Sequence, residues 1–512
     1  MHTEKEEFME CYVTEDDGIS PPESPELVPK LSCHLEPTDG HAEASYDLVG
    51  NTDALFHGED LSSGNIVLRY HTSLAKDSAI EISNRTIEQI TIVRDRRRKL
   101  LASNGQVKVL VIRVSDDSSN DYRRKVTQST TQMYWDVFGD ENNLSKVYNH
   151  CSNGKLNMIP ATGIDPQTGR EVDRGVVTVV PESNEDICSM TYKSAGNIAL
   201  EALKNAQIDA QHKMIILPDC VNFQGAGAWG QTPGQLTWFP SRYASFPVTQ
   251  VHEIGHNLGM RHSGKNGVSY ADDTDSMGNK GSWSDIGSKM CFNGAKTWYF
   301  GWYSDHHKYV NPENWPFKGD LGTVTDAARF SSSENAVLHL KSGSSSSLFV
   351  IFNRAEAFNQ DVGDPDTVVI TEQFYSYSTS TWMAALKAGE TYYHKNWNGS
   401  QNTLVIKNCG ITYGDQTFDY NSVDRASIIA YVDGVTFASC PNESFQQGGN
   451  TPSAPASVAC TDTPNWYDSG GKDFDCAWYA LDPFYCKGYG NHFSNFGQTA
   501  NTACCVCKDA LN

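Results

Sequence analysis

Apolar runs and amphipathic stretches alternate in the part of the chain between residues 100 and 318. Continuous apolar runs are typical of strands buried on both faces, and apolar positions three or four apart are typical of helices. This order predicts an α/β domain with a mixed sheet. Strands are expected at 107–114, 175–180 and 214–217, and helices at 121–136 and 195–205.

The pattern changes to short alternating strands between residues 319 and 445. Turns rich in Ser, Gly, Asn and Asp separate these strands, which predicts a β-sandwich. Residues 446–459 are rich in Gly and Pro and predict a flexible linker. The sequence therefore predicts a multidomain α/β plus β chain that ends in a small module at 460–512.

Residues 1–99 are acidic and carry four prolines between positions 21 and 29, which exclude a long helix there. The segment ends in a run of cations at 94–99, just before the first predicted core strand. We interpret the segment as an inhibitory pro-segment and the run as a processing site for an activating, basic-specific protease. The alternative is a solvated loop.

The charge and the hydropathy of the chain argue against nucleic-acid binding and against a membrane-spanning helix. The formal net charge of −22 argues against nucleic acid, because only one short cationic cluster could neutralise phosphates. No apolar run reaches the roughly 18 to 20 residues that a membrane-spanning helix needs. We therefore expect neither a nucleic-acid partner nor a membrane span.

Fourteen cysteines, six of them between Cys460 and Cys507, predict disulfides formed in an oxidising compartment. A zinc-binding tail is the alternative, although paired C-x-x-C knuckles are missing. Glycosylation sequons agree with secretion and stand at Asn84, Asn143, Asn398 and Asn442. The first residues lack the basic and apolar regions of a signal peptide, so we expect either a true start further upstream or another route of export.

The strongest chemical signal is a metal-binding pattern. His252 and His256 are four apart, so on a helix their imidazoles lie on one face and can bind one Zn²⁺. Gly259 can adopt positive φ and return the chain, which brings His262 to the metal as a third ligand. A fourth position stays open for water, and Glu253 beside the first ligand can accept the proton of that water.

The helix that carries this pattern is expected over residues 247–258. Pro247 suits a first helical position, and Val251, Ile254 and Leu258 form an apolar stripe that can hold the helix on a core. The ligands would then face a cleft.

The pattern resembles the signature of the metzincin zinc endopeptidases, H-E-x-x-H-x-x-G-x-x-H followed by a methionine turn. Residues 275–278 look like that turn, which implies that Met277 lies beneath the zinc, with Met290 as the alternative. Three further short sequence segments are similar to the gametolysin family of extracellular matrix proteases from algae and related microbes. They are residues 290–293, 295–298 and 301–303. The resemblance extends from about Gly105 to about Gly434.

This resemblance implies a secreted zinc metalloendopeptidase, made as a zymogen, that cleaves extracellular or cell-wall glycoproteins. It implies that an edge strand before the zinc helix pairs with extended substrate, and the stretch at 225–230, with Trp229 and Trp238, is our candidate for that wall. The same stretch matches G-x-G-x-x-G, but no helix follows it, which argues against a nucleotide site. Tyr270 is a candidate to assist the oxyanion.

Other features leave alternatives open. A thiolate of Cys33 or Cys11 could bind the zinc of a latent form, or the two cysteines could belong to ordinary disulfides. Residues 359–366 offer oxygen ligands for Ca²⁺ without the spacing of an EF-hand, so a plain turn is the other interpretation. In the tail, Trp466, Trp478 and Tyr479 could bind carbohydrate or form the core of the module.

A catalytically silent matrix adhesion protein is the rival to an enzyme. In that hypothesis the zinc domain is a scaffold, and the sandwich and the tail bind the matrix. The complete set of His252, Glu253, His256 and His262 argues against it.

Overall fold

The structure is a computed structural model of the 512-residue chain. It forms two compact units, Met1–Glu443 and Ser444–Asn512. The described residues are 8–21, 27, 29–36, 43–50, 66–71, 75–76, 79–82, 90–94, 104–117, 119–181, 186–278, 283–284, 286–331, 334–341, 347–374, 378–414, 423–441, 462–464, 466–469, 471–472, 474–479, 486 and 493–509.

The first strands form a small β-structure with its own core. They are β1 Phe8–Ile19, β2 Lys30–Leu35, β3 Ala44–Gly50, β4 Ile66–His71, β5 Ala75–Lys76, β6 Ala79–Ile82 and β7 Ile90–Arg94. β1 is long enough to pair with both β2 and β4 in antiparallel fashion, and the Cys11–Cys33 disulfide joins β1 to β2. Buried Val13, Leu68 and Ile80 pack around this disulfide.

In its described residues the central region supplies nine strands and five α-helices. The strands are β8 Gly105–Val114, β9 Leu156–Pro160, β10 Thr162–Gly163, β11 Val176–Val179, β12 Ile208–Asp209, β13 His212–Leu217, β14 Ala228–Thr232, β15 Leu236–Pro240 and β16 Ser263–Lys265. The helices are α1 Thr130–Tyr134, α2 Leu144–Cys151, α3 Tyr192–Ala202, α4 Pro247–Leu258 and α5 Gly294–Tyr299.

A mixed sheet runs through both groups of strands in the order β11-β8-β13-β15-β14-β1-β2-β3-β6-β5, and β9 also pairs with β8. β8, β9, β11, β13 and β15 are parallel, whereas β14 is antiparallel to β15 and to β1. The mixed α/β sheet expected from the sequence is therefore present, and β1 extends it beyond β14.

The continuous apolar run of β8 is explained by two cores on opposite faces of the sheet. Val107, Val109 and Val111 point to the core that also contains α4. Leu110 and Ile112 point to the core on the other face, where α3 packs. Alternate side chains of a strand face opposite ways, so burial on both faces requires apolar residues throughout.

The helix expected at 121–136 is not continuous. A short 3₁₀ turn spans Tyr122–Arg124, and α1 begins only after Ser129, whose side chain accepts a hydrogen bond from the backbone N–H of Gln132. Serine at this position starts a helix rather than continuing one.

Two further sheets are built from β16 and the strands that follow the central region. These later strands are β17 His307–Val310, β18 Phe317–Gly322, β19 Val337–Lys341, β20 Ser347–Asn353, β21 Thr367–Gln373, β22 Ser380–Leu386, β23 Thr391–Lys395, β24 Thr403–Thr412 and β25 Arg425–Val432. The orders are β16-β22-β21-β20-β19-β17 and β18-β25-β24-β23. Val350 of the first sheet and Ile428 of the second lie in one core, which is the packing of a sandwich.

The second unit is a small module with helices α6 Cys476–Tyr479, α7 Ala500–Ala503 and α8 Cys505–Asp509. Disulfides join Cys476 to Cys504 and Cys486 to Cys507. Trp466 and Tyr479 are buried with these cysteines. These two aromatic residues therefore form the core of the module rather than a carbohydrate-binding surface. The linker predicted at 446–459 lies outside the described residues.

Among the described residues, no helix has the length and hydropathy needed to cross a membrane. The domain boundaries proposed at residues 99, 318, 445 and 459 stay predictions.

Candidate metal centre

The helix α4 has the bounds expected from its sequence, Pro247 to Leu258. Pro247 occupies its first turn, and Ile254 and Leu258 pack into the core. The helix ends at Gly259, whose φ of +99° is in the left-handed region. The backbone N–H of Met260 donates to the carbonyl of Gly255 (2.9 Å), which turns the chain back sharply.

This turn brings the three predicted ligands together. One ring nitrogen from each of His252, His256 and His262 lies within 4.8 Å of the others, and all three side chains are buried. The Nε2 atoms of His256 and His262 are 3.2 Å apart. The three histidines predicted from the sequence motif therefore lie close enough together to bind one metal ion.

Backbone carbonyls orient two of these rings. Nδ1 of His252 lies 3.2 Å from the carbonyl oxygen of Ser276, and Nδ1 of His256 lies 2.9 Å from that of Met260. A carbonyl can only accept, so these Nδ1 atoms carry the proton and the Nε2 atoms present lone pairs. This arrangement is typical of metal-binding histidines.

The residues fit a cation. Burial lowers the pKa of His252 to about 3 and the pKa values of His256 and His262 well below the usual range, which keeps the imidazoles neutral. Nε2 of His252 has no hydrogen-bond partner among the described residues. Nitrogen ligands of a tetrahedral zinc ion lie about 3.3 Å apart, close to the separation of His256 and His262. Three neutral imidazoles with converging lone pairs suit Zn²⁺.

The residues expected to form the methionine turn lie beneath α4. The N–H of Met277 donates to Oδ1 of Asp275 (2.6 Å), and the N–H of Gly278 donates to the carbonyl of Asp275 (2.8 Å). Met277 is fully buried, and a Cβ added to Gly255 would come 2.5 Å from its sulfur. Met290, the alternative, borders a small cavity beside the first turn of α4.

Glu253 is fully buried beside the triad. Burial, with the nearby carboxyl of Asp17 as a second cause, raises its pKa well above the usual range. Its Oε1 accepts a hydrogen bond from the backbone N–H of Ile19 (3.1 Å). Its Oε2 has no partner among the described residues.

Sequence reasoning missed Asp17, which lies on β1 and enters the same site. Its Oδ1 is 3.3 Å from Nε2 of His262, and its side chain is 3 % exposed. Burial raises the pKa of Asp17 to about 8, against the lowering effect of Arg261. No local pattern around residue 17 signals this role, because the contact joins segments some 245 residues apart.

Tyr270, the candidate for oxyanion assistance, also contacts β1. Its hydroxyl donates to the carbonyl of Gly18 (2.6 Å), and its ring lies 3.8 Å from that of His262 between centroids. The tyrosine is therefore within reach of a carbonyl held next to the triad.

The proposed substrate wall is only partly as expected. β14 is the antiparallel strand at the open side of the parallel strands, but β1 covers it. Trp229 and Trp238 are buried in the core on the α3 side rather than lining a cleft. They face the core because that face of the sheet is covered by α3 and its neighbours.

The thiolate hypothesis is wrong for both cysteines. Cys11 and Cys33 form a disulfide and are buried in the core of the first strands. A disulfide sulfur cannot act as a thiolate ligand. Cys11 also lies six residues before Asp17 on the same extended strand, which corresponds to about 20 Å.

The calcium hypothesis is not supported either. In the stretch 359–366, Asp364 pairs with Lys265 (3.2 Å), Asp366 pairs with Arg354, and Asp361 accepts from the backbone N–H of Lys289 (2.9 Å). Each carboxylate is directed to a separate partner, and the cluster of potential metal ligands found among the described residues is the histidine triad. The stretch is a turn held by ion pairs.

The comparisons with known proteins agree with this geometry over part of the chain. Residues 108–331 match the family described as gametolysin peptidase M11, a narrower range than the resemblance predicted from residue 105 to 434. Searches of curated proteins and of solved structures found no match. Over residues 108–331 the chain is therefore similar to the gametolysin family of metallopeptidases.

Proposed function

We propose that this protein is a secreted zinc metalloendopeptidase that hydrolyses peptide bonds of extracellular or cell-wall proteins and glycoproteins. The observation that carries the proposal is the convergence of His252, His256 and His262 with the carboxyl of Glu253 beside them. The peptidase family match over the same residues supports it.

A zinc ion held by the triad would lower the pKa of water and polarise the scissile carbonyl. Glu253 acts as the general base that takes the proton of the attacking water, and then as the acid that passes it to the leaving amine. The Oε2 atom of Glu253 supports this role, because it has no hydrogen-bond partner among the described residues and stays available to a water at the triad. The backbone N–H of Ile19 donates a hydrogen bond to Oε1 of Glu253. This contact supports proton transfer to the leaving amine, because it brings a peptide nitrogen within reach of the carboxyl.

Tyr270 is proposed to donate a hydrogen bond to the carbonyl oxygen as negative charge develops there. Its contact with the carbonyl of Gly18 supports this role. His262, against which the ring lies, keeps Tyr270 at the edge of the triad.

Secretion is supported by the disulfides of the first unit, which include Cys151–Cys291, Cys188–Cys220 and Cys409–Cys440. The sequon at Asn143 is not evidence for glycosylation, because this side chain is buried and caps α2 by accepting from the N–H of Lys146 (2.9 Å). Asn84 and Asn442 lie outside the described residues. Glycosylation of the remaining sequon, Asn398, stays a prediction.

The proposal includes synthesis as a zymogen. The basic run at 94–99 is the proposed processing site, and all of it except Arg94 lies outside the described residues. Cleavage there by a basic-specific protease would separate β1 to β7 from the residues that match the peptidase family.

The test compares the full chain with Glu253→Ala, before and after limited digestion with trypsin, on casein. We expect the digested wild type to hydrolyse casein and Glu253→Ala to lose roughly 10²- to 10⁴-fold in rate, as for loss of a general base. Glu171→Ala, which removes an exposed carboxylate from the same region, is the matched control. If zinc binds but no form cleaves a peptide, the adhesion hypothesis replaces this one.

A further inference from the structure

β1 occupies the side of β14 that an extended peptide would need. The two strands are antiparallel, and Asp17 is opposite Gly230. Because side chains alternate along a strand, Asp16 and Asp17 point to opposite faces of the sheet. Asp16 is paired with buried Lys193 of α3, whereas Asp17 enters the histidine triad.

Three consecutive residues of β1 engage the proposed catalytic groups. Asp17 contacts His262, the carbonyl of Gly18 accepts from Tyr270, and the N–H of Ile19 donates to Glu253. The Gly18–Ile19 peptide thus makes the two contacts proposed above for a scissile peptide. A substrate cannot make these contacts while β1 is present.

The contact of Asp17 with His262 has an electrostatic consequence. Nε2 of His262 faces both Nε2 of His256 (3.2 Å) and Oδ1 of Asp17 (3.3 Å). Two neutral imidazole nitrogens and a carboxylate oxygen are electron-pair donors, and they repel unless a cation or a proton lies among them. Both separations correspond to ligands of one tetrahedral zinc ion, about 3.3 Å apart.

We propose that Asp17 is an internal fourth ligand of the triad metal and that β1 holds the site in a substrate-like, latent form. This inference rests on the proposed function and names the regulation of the same site. The carboxylate takes the fourth position, so the site cannot supply activated water until β1 leaves.

Contacts on both sides of Asp17 keep β1 in place. Lys193 is fully buried and pairs with Asp16 and with Asp47 of β3. Arg261, next to the third histidine, pairs with Glu15. Removing one partner of a buried ion pair leaves an uncompensated buried charge, so these contacts fix the register of β1 firmly.

The experiment uses the full chain loaded with Zn²⁺ or Co²⁺ and three variants. Asp17→Asn removes the charged ligand and keeps the size of the side chain. Gly18→Ala places a Cβ 2.6 Å from the carbonyl oxygen of Ala228, which forces β1 away from β14 at that point. Glu10→Gln removes an exposed carboxylate from the same strand and is the matched control.

For Asp17→Asn we expect the zinc affinity, measured by competition with a chelator, to fall at least about ten-fold. The visible spectrum of its Co²⁺ form should change, and its hydrolysis of casein without digestion should rise at least about ten-fold. Gly18→Ala should also raise hydrolysis, and Glu10→Gln should match the wild type in all three measurements. An unchanged affinity and spectrum in Asp17→Asn would show that Asp17 only hydrogen-bonds to His262, which overturns the inference.

The two proposals can fail separately. If the spectrum and affinity change but no form of the chain cleaves a peptide, Asp17 is a ligand and the peptidase proposal fails. If the undigested wild type cleaves as fast as Asp17→Asn while Glu253→Ala is inactive, the peptidase proposal stands and the latency proposal fails.

Discussion

Two groups of histidines in the described part of the first unit differ in what they can do: a fully buried triad could hold a metal, whereas a half-buried pair in the sandwich packs against aromatic rings. In the triad of His252, His256 and His262, ring nitrogens converge. In the sandwich, His307 stacks on Trp298 with centroids 4.2 Å apart, and His339 stacks on Phe349 at 4.6 Å. Burial lowers the pKa of all five, to about 4 in His307 and His339.

The difference shows that burial and a lowered pKa do not by themselves mark a metal site. Backbone carbonyls orient His252 and His256 from behind, so that their Nε2 lone pairs point to a common centre. His307 and His339 instead contact aromatic faces, and both ring nitrogens of His339 lack a hydrogen-bond partner among the described residues. They serve as flat packing groups.

The contrast between the two groups would be wrong if His307 and His339 of the sandwich bound the metal. Removing one histidine from each group tests this. We expect zinc at a thousand-fold excess over its dissociation constant to stabilise the wild type and His339→Phe by about 4 kcal/mol, since a ligand that binds only the folded state stabilises it. His256→Ala should lose this stabilisation and all hydrolysis of casein. Thermal unfolding with and without zinc measures the effect. Equal stabilisation of His256→Ala would contradict the assignment.

A smaller effect is expected from the packing beneath the triad. Gly255→Ala places a Cβ 2.5 Å from the sulfur of Met277, and overpacking of this kind costs about 1–3 kcal/mol. The double variant Gly255→Ala, Met277→Ala should recover part of the loss, because the clash is removed. Urea unfolding of the two single variants and the double variant gives the coupling free energy. Additive effects would show that Met277 does not support α4 at this point.

The smallest effect concerns acid. His339 binds a proton near pH 6.5 when unfolded but only near pH 4 when folded, so the free energy of unfolding falls as the pH drops through this range. His339→Phe keeps the stacking and removes the proton uptake. We expect its midpoint of thermal unfolding to fall about 2–4 °C less than that of the wild type between pH 7 and pH 4.5. Equal losses would show that His339 is not a source of the acid sensitivity.

The sequence alone predicted the local part of the site. The bounds of α4 and the return of the chain at Gly259 follow from interactions between neighbours in sequence: a proline in the first turn, an apolar stripe and a residue free to take positive φ. The alternation of strands and helices around it likewise predicted the mixed sheet. These features depend on periodicity, which a single sequence displays.

The contribution of β1 could not be predicted in this way. Its residues belong to the segment that the sequence predicts as an acidic pro-segment, and they form a twelve-residue strand in the same sheet as β14. Pairing between segments more than 200 residues apart leaves no periodic trace, and two adjacent aspartates look like ordinary surface charge. The partners of Asp16 and Asp17 become visible only when the sheet is assembled.

The position of β1 along the chain has a consequence for how latency would end. β1 to β6 precede the basic run and β7 ends at its first residue, Arg94, while the described disulfide within these strands, Cys11–Cys33, joins them only to each other. A cut at the run therefore leaves the first strands bound by non-covalent contacts alone. Before the cut the tether gives the blocking strand an effective concentration that can reach about the millimolar range, and after it occupancy follows ordinary mass action. Dilution into a large volume would then complete an activation that proteolysis only begins.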